Sequence, residues 1–121
     1  MATLCVSMNL SPLEQKIFDL LIQEDPEKEI LKSQISQVEI LERSYSGVGV
    51  FTKFKVSESA EKLGKERLKL EDFPGAYLTH PALEAGAGVI LWLNSGYLDT
   101  LECFTYGGDW PANEQLFTVH T

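Results

Sequence analysis

The side chains best suited to chemistry lie between residues 80 and 111. Glu84, Asp99 and Glu102 sit in or beside a strand–turn–strand pattern. With Glu42 they could converge into a carboxylate cluster of the kind that holds a divalent cation or moves protons. Acids at outward strand positions and turn ends are also ordinary solvated residues, and no D-x-D, H-x-H or E-x-x-H spacing places ligands locally, so no metal is expected. The only imidazoles are His80 and His120. His80 precedes Pro81 in a turn without an identifiable orienting partner, which reads as a solvated loop histidine rather than a general base. A nucleophilic Cys103 would need a lowered pKa, whereas acids raise it; Cys103 reads as buried and inert.

The pairs Gly47/Gly49 and Gly86/Gly88 lack the third glycine and following helix of a phosphate loop, and read instead as turns, bulges or close strand contacts. No serine stands in a G-x-S-x-G context. What remains is aromatic: Phe104, Tyr106 and Trp110 beside Glu102 and Asp109. Rings flanked by acids suit core packing, and they also suit a binding anchor with a steering rim. The binding candidates are therefore Glu84, Asp99, Glu102, Tyr106, Asp109 and Trp110, with no catalytic residue and no cofactor assigned.

These residues need elements to hold them. Ser11-Pro12-Leu13-Glu14 combines an N-cap, a proline at the first helical position and a capping-box glutamate, so a helix of about 12 residues starts there. Leu13, Ile17, Leu20 and Leu21 form its apolar stripe, with Glu14, Lys16, Asp19 and Gln23 toward water. Asp25-Pro26 opens a second, shorter helix carrying Ile30, Leu31 and Ile35. After Ser36 the period becomes two. Val38 and Ile40, then Val48, Val50, Thr52, Phe54 and Val56, predict a hairpin broken at Ser46-Gly47.

Ser57 to Lys65 is polar and contains Gly64, so it reads as a loop or a short exposed helix and as the best candidate for a mobile segment. Short strands are expected at 67–70 and 75–79, around the turn Asp72-Phe73-Pro74-Gly75. Val89 to Leu93 is apolar throughout, as for a central strand covered on both faces. Asn94-Ser95-Gly96 fits a hairpin loop. A bulge near Asp99-Thr100 would put Leu98, Leu101 and Cys103 on one face and Glu102, Phe104 and Tyr106 on the other. Leu116 to His120 suits a last edge strand.

With 121 residues the chain is one domain's length. No Lys or Arg precedes Lys16, so the basic start of a secretory signal is missing and a cytoplasmic location is expected. No apolar run approaches the length of a membrane span. Two cysteines, Cys5 and Cys103, are too few for a disulfide framework and should stay unpaired.

The net charge is −8, and residues 70–121 hold seven acids and neither Lys nor Arg. Such a half repels nucleic acid and attracts a basic partner. Lys53, Lys55, Lys62, Lys65, Arg67 and Lys69 form the one basic stretch. Acids interrupt it and no stacking platform accompanies it, so it reads as a solvated strand face and loop.

The segments Gly47 to Phe54, Leu83 to Leu93, Gly96 to Glu102, and Thr105-Tyr106 through Trp110-Pro111 together resemble an uncharacterised family of small bacterial proteins. That family has a GVGFFT-type strand, a PGLEHGAGF-type turn and an LDxLEGxTY-to-WP ending. The chain departs from the pattern at Ala85, where histidine is expected, and at Cys103, where glycine is. The resemblance implies a shared fold and brings no function with it.

Together these readings predict a single α+β domain spanning residues 1–121: two N-terminal helices packed on one face of a mostly antiparallel sheet of five or six strands. An all-β barrel with a helical extension is the structural alternative. The expected function is non-enzymatic binding, by an acidic inhibitor or immunity-type protein that covers a basic partner surface, with no nucleic acid or membrane involved. The alternative is a small enzyme or ligand-binding domain with a pocket between helices and sheet, using Glu84, Asp99, Glu102 and Tyr106.

Overall fold

The computed structural model describes residues 9–23, 25–64, 69–70 and 77–120. Cys5, Lys65, Arg67 and the expected Asp72–Gly75 turn lie outside the described residues.

Helix α1 spans Pro12–Ile22 and starts as the capping box predicts. The Glu14 amide donates to Ser11 Oγ (3.1 Å), and the Ser11 amide donates to Glu14 Oε1 (2.8 Å). Helix α2 spans Lys28–Ser36, and Asp25 prepares its start by accepting from the Glu27 amide (2.9 Å). No helix among the described residues is long and apolar enough to cross a membrane.

The strands are β1 (Val38–Tyr45), β2 (Gly49–Val56), β3 (Lys69–Leu70), β4 (Tyr77–His80), β5 (Leu83–Asn94), β6 (Tyr97–Thr105) and β7 (Thr118–His120). All the pairings are antiparallel, in the order β1-β2-β6-β5-β4-β7. β3 pairs with the far end of β5, beyond the part that β4 takes. This is the expected α+β class, with six strands along the main path.

One face of the sheet is covered by the helices. Ile17, Phe18, Leu21 and Leu31 bury themselves against Ile40, Val50, Phe54, Leu91 and Leu101. The Phe18 and Phe54 rings lie 5.6 Å apart. Alternation then sends the neighbours of these strand residues outward. Val89, Leu91 and Leu93 are buried while Ile90 and Trp92 are half-buried. Against the expectation of a strand covered on both faces, both helices lie on one side, and among the described residues no helix covers the other.

Two irregularities set the phase of the sheet. In β6 the pairing runs Trp92 opposite Thr100 and then Leu93 opposite Leu98, so Asp99 is the extra residue. The expected bulge therefore exists, and it turns both Leu98 and Leu101 inward. In β1 a second bulge falls between Ile40 and Glu42, at Leu41. It reverses the alternation, so Arg43 sits opposite inward-facing Thr52. The β5–β6 turn is a two-residue hairpin in which Ser95 (φ 53°) and Gly96 (φ 86°) are both left-handed, as a type I′ turn requires.

The Ser57–Lys65 loop was expected to move; its described part, to Gly64, is docked. Ala60 and Leu63 are buried. The Leu63 amide donates to Gly96 O (3.0 Å), and Gln34 Nε2 donates to both Glu61 O (2.9 Å) and Gly96 O (2.8 Å). Gln34 Oε1 accepts from the Leu98 amide (2.9 Å). One buried glutamine thus ties the loop and the β5–β6 turn to α2.

Candidate functional site

The outer face of the sheet is a series of cross-strand rows. Phe51, Glu102 and Ile90 form one, on β2, β6 and β5. The next row holds Gly49, Phe104, Gly88, Tyr77 and His120. Tyr77 stacks on His120 with ring centroids 4.9 Å apart, and Phe104 meets Tyr106 edge to face at 5.6 Å. Gly88 leaves room for this arrangement: a Cβ would meet the Tyr106 hydroxyl and the Phe104 ring, and Tyr106 would have to shift. Tyr106 therefore lies across the glycine and joins Phe104 toward Tyr77 in one aromatic band. Phe51 is 39 % exposed, Tyr77 46 % and Tyr106 59 %.

Glu102 stands in the middle of this face and accepts a hydrogen bond from Trp92 Nε1 (3.0 Å). On the β1–β2 side, Glu39 faces Lys55 and Glu42 faces Lys53 in register, so charge is balanced there. Toward β5 and β4, Glu102 is the fixed charge among the described residues of the face.

The inner face holds a second polar group of residues. Glu14 is only 6 % exposed, although its place in the helix pattern put it toward water. Arg43 explains the difference: its Nε and Nη2 donate to Glu14 Oε2 (2.9 Å) and Oε1 (2.6 Å), while Thr52 Oγ1 also donates to Oε2 (2.9 Å). Burial alone would raise the Glu14 pKa. The bonds from Arg43, the Ser11 amide and Thr52, with the Arg43 charge, outweigh burial and hold the carboxyl below the usual glutamate range. Arg43 is raised in turn, first by its hydrogen bond to Glu14.

Beside this pair the chain leaving β6 folds back over the end of the sheet. The Trp110 amide donates to Gly47 O (2.8 Å), its indole packs on Phe117 (4.8 Å), and its Nε1 donates to Glu114 Oε2 (2.8 Å). The Tyr45 hydroxyl makes a longer bond to the same oxygen (3.4 Å). Burial first, then Glu114, raises the Tyr45 phenol pKa.

The expected site residues are dispersed. Glu102 and Tyr106 share the outer face. Glu84 is exposed near the start of β5, six residues, or roughly 20 Å of strand, before Ile90. Asp99 occupies the β6 bulge and accepts from Thr100 Oγ1 (2.9 Å). Asp109 is exposed in the loop after β6, and Trp110 belongs to the inner side, apart from Phe104 and Tyr106. The carboxylate cluster is thus not assembled, and among the described residues no group of three or more His, Cys, Asp or Glu could hold a metal ion.

His80 is corrected as well. It is buried, its Nδ1 accepts from the Ala82 amide (3.0 Å), and Nε2 lies 2.9 Å from Asn113 O, which makes Nε2 the protonated nitrogen. Its ring packs edge-on against Phe117 at 4.7 Å. Cys103 is a buried free thiol, as expected, its pKa pushed well up by burial and then by Glu14, Glu114 and Glu102.

Arg43, Tyr45 and Glu114 were missed. Arg43 had a signal, being the only base between Lys32 and Lys53. A groove of about 380 Å³ also lies between α1 and β7, where Lys16, Asp19 and Leu20 face Phe117 and Val119. None of Glu84, Asp99, Glu102 or Tyr106 lines it.

Comparison with family models, curated proteins and solved structures returned no match.

Proposed function

We propose that the protein is a cytoplasmic, non-enzymatic binding protein that covers a basic surface of a partner protein, as an inhibitor or immunity protein does, with the outer face of its sheet. The observation that carries this reading is the exposure of Phe51, Tyr77 and Tyr106 together around Glu102, on a face that no described helix covers. Exposed rings grouped on one face are unusual for a surface meant only for water, and aromatics are enriched at interface hot spots. The partner's sign follows from charge: the chain carries −8 and its last 52 residues no Lys or Arg, so a basic surface is attracted and steered.

The test compares partner capture by the unmodified protein with capture by a Phe51→Ser/Tyr106→Ser variant, followed by association kinetics on the partner obtained. Loss of capture by the double variant, still folded and with no more than a modest fall in thermal midpoint, supports the outer face. A Glu102→Gln variant should associate more slowly, and salt should slow the unmodified protein. Capture indifferent to both variants removes this reading in favour of the alternative, a small-molecule-binding domain. That alternative finds support in the groove between α1 and β7.

A further inference from the structure

A cleft of about 360 Å³ opens where the β1–β2 turn meets the chain after β6, lined by Tyr45, Gly47, Trp110, Pro111, Ala112 and Glu114. Its construction is specific. The Trp110–Gly47 backbone bond fixes one wall to the other, and the indole is held by Phe117 behind it. Both side-chain donors in the cleft, Trp110 Nε1 and the Tyr45 hydroxyl, converge on Glu114 Oε2. The carboxylate's other oxygen, Oε1, receives no hydrogen bond from either. Among the described residues, no Lys or Arg lines the space. Arg43 lies close enough for its charge to interact with Glu114, but its Nε and Nη2 are engaged by Glu14 and its Nη2 also by Asn9 O (3.0 Å).

We propose that this cleft binds an organic cation, a primary ammonium or guanidinium head on an aliphatic stem. A carboxylate with one oxygen to offer supplies the ion pair, and the Trp110 and Tyr45 donors on Oε2 hold it in place. Pro111 and Ala112 give the stem an apolar wall. An anion is repelled by Glu114, and a wholly apolar ligand would offer no donor to Glu114 Oε1. The space is at the small end of ligand pockets and has room for a lysine- or arginine-sized group. The net charge of −8 raises the local concentration of such cations. This site is independent of the outer face and does not require that face to bind anything.

The indole N–H of Trp110 is its reporter, since it points at Glu114. The full-length, isotope-labelled protein is titrated with n-butylammonium and n-butylguanidinium, with 1-butanol as the uncharged control, while the Trp110 indole resonance is followed. A saturable shift with either cation and none with butanol is expected. Glu114→Gln keeps an acceptor for the indole and the phenol but removes the charge, so it should weaken binding by about tenfold or more. Capped Gly-Lys-Gly and Gly-Arg-Gly peptides separate the sources: tighter binding than the bare amines points to a partner's side chain, and equal binding to a free amine. No saturable shift up to about 50 mM, well beyond millimolar affinity, overturns the proposal. So does an unchanged response in Glu114→Gln, whose remaining resonances show whether the fold is intact.

Discussion

The two faces of this sheet invert the usual relation between polarity and exposure at their most telling positions. Under the helices, Glu14, Arg43, Thr52 and Gln34 are drawn inside, each with its hydrogen bonds directed at protein partners. On the open side, Phe51, Tyr77 and Tyr106 stand in water. Both faces come from the same strands, by alternation reset at the Leu41 and Asp99 bulges, so a single strand carries residues of both kinds. The two short helices lie on the more apolar of the two faces. The inner polar groups are tolerable because they are satisfied, and the outer rings suit a surface that another molecule covers.

The contrast is sharpest within β5. Leu91→Ala should destabilise by about 2 to 5 kcal/mol, because its cavity opens beneath the helices. Ile90→Ala, one residue along and half-buried on the outer face, should cost about 1 kcal/mol or less. Equal denaturation midpoints for the two variants would break the distinction between the faces.

Glu14→Gln should cost about 2 to 3 kcal/mol at neutral pH, less than a fully buried pair would because a fifth of the Arg43 side chain still reaches solvent. The sign of its pH dependence follows from the lowered Glu14 pKa. The stability it contributes is complete above the ordinary glutamate range, about pH 5 and higher, and is lost as the pH falls through the folded-state value. Denaturant melts of the two proteins should therefore differ by a constant amount above pH 5 and converge in acid. A gap that widens on acidification would contradict this account of the ion pair.

Smaller effects belong to the outer face and the loop. Tyr106→Ala uncovers Gly88 and should cost about 0.5 to 1 kcal/mol, read as a modest fall in thermal midpoint. Lys62→Ala should change stability by under about 0.5 kcal/mol, since only its methylene stem lies against Gly96. A larger Lys62 effect would mean that the loop is held by that side chain rather than by Ala60, Leu63 and Gln34.

Local features were the legible part of the sequence. The Ser11–Glu14 cap, the Ser95-Gly96 turn and the bulge at Asp99 each rest on a few adjacent residues whose chemistry allows few alternatives. Glu14 misled because its capping role accounted for it completely, and nothing within α1 announces an arginine on a distant strand. Arg43 was hidden by the bulge at Leu41: without it, the alternation from Ile40 turns Arg43 outward. That both helices lie on one face was equally invisible, since the apolar run Val89–Leu93 looks the same whether one side or both are packed. Trp110 fell on the inner side because the chain doubles back after Gly107-Gly108, a reversal with no periodic signal.

During synthesis the N-terminal half of this protein is made before it can be completed. α1, α2 and the β1–β2 hairpin all precede β6, yet the second edge of β2 is paired by β6, with Thr52 opposite Leu101. Closing that contact spans roughly 50 residues, the kind of non-local step that slows folding. Until it closes, β2 offers an unpaired edge beside Val50, Phe54 and Val56, which is a template for intermolecular association. A fragment ending at Gly64 is therefore expected to aggregate, and the β5–β6 hairpin acts as the clasp whose arrival ends that exposure.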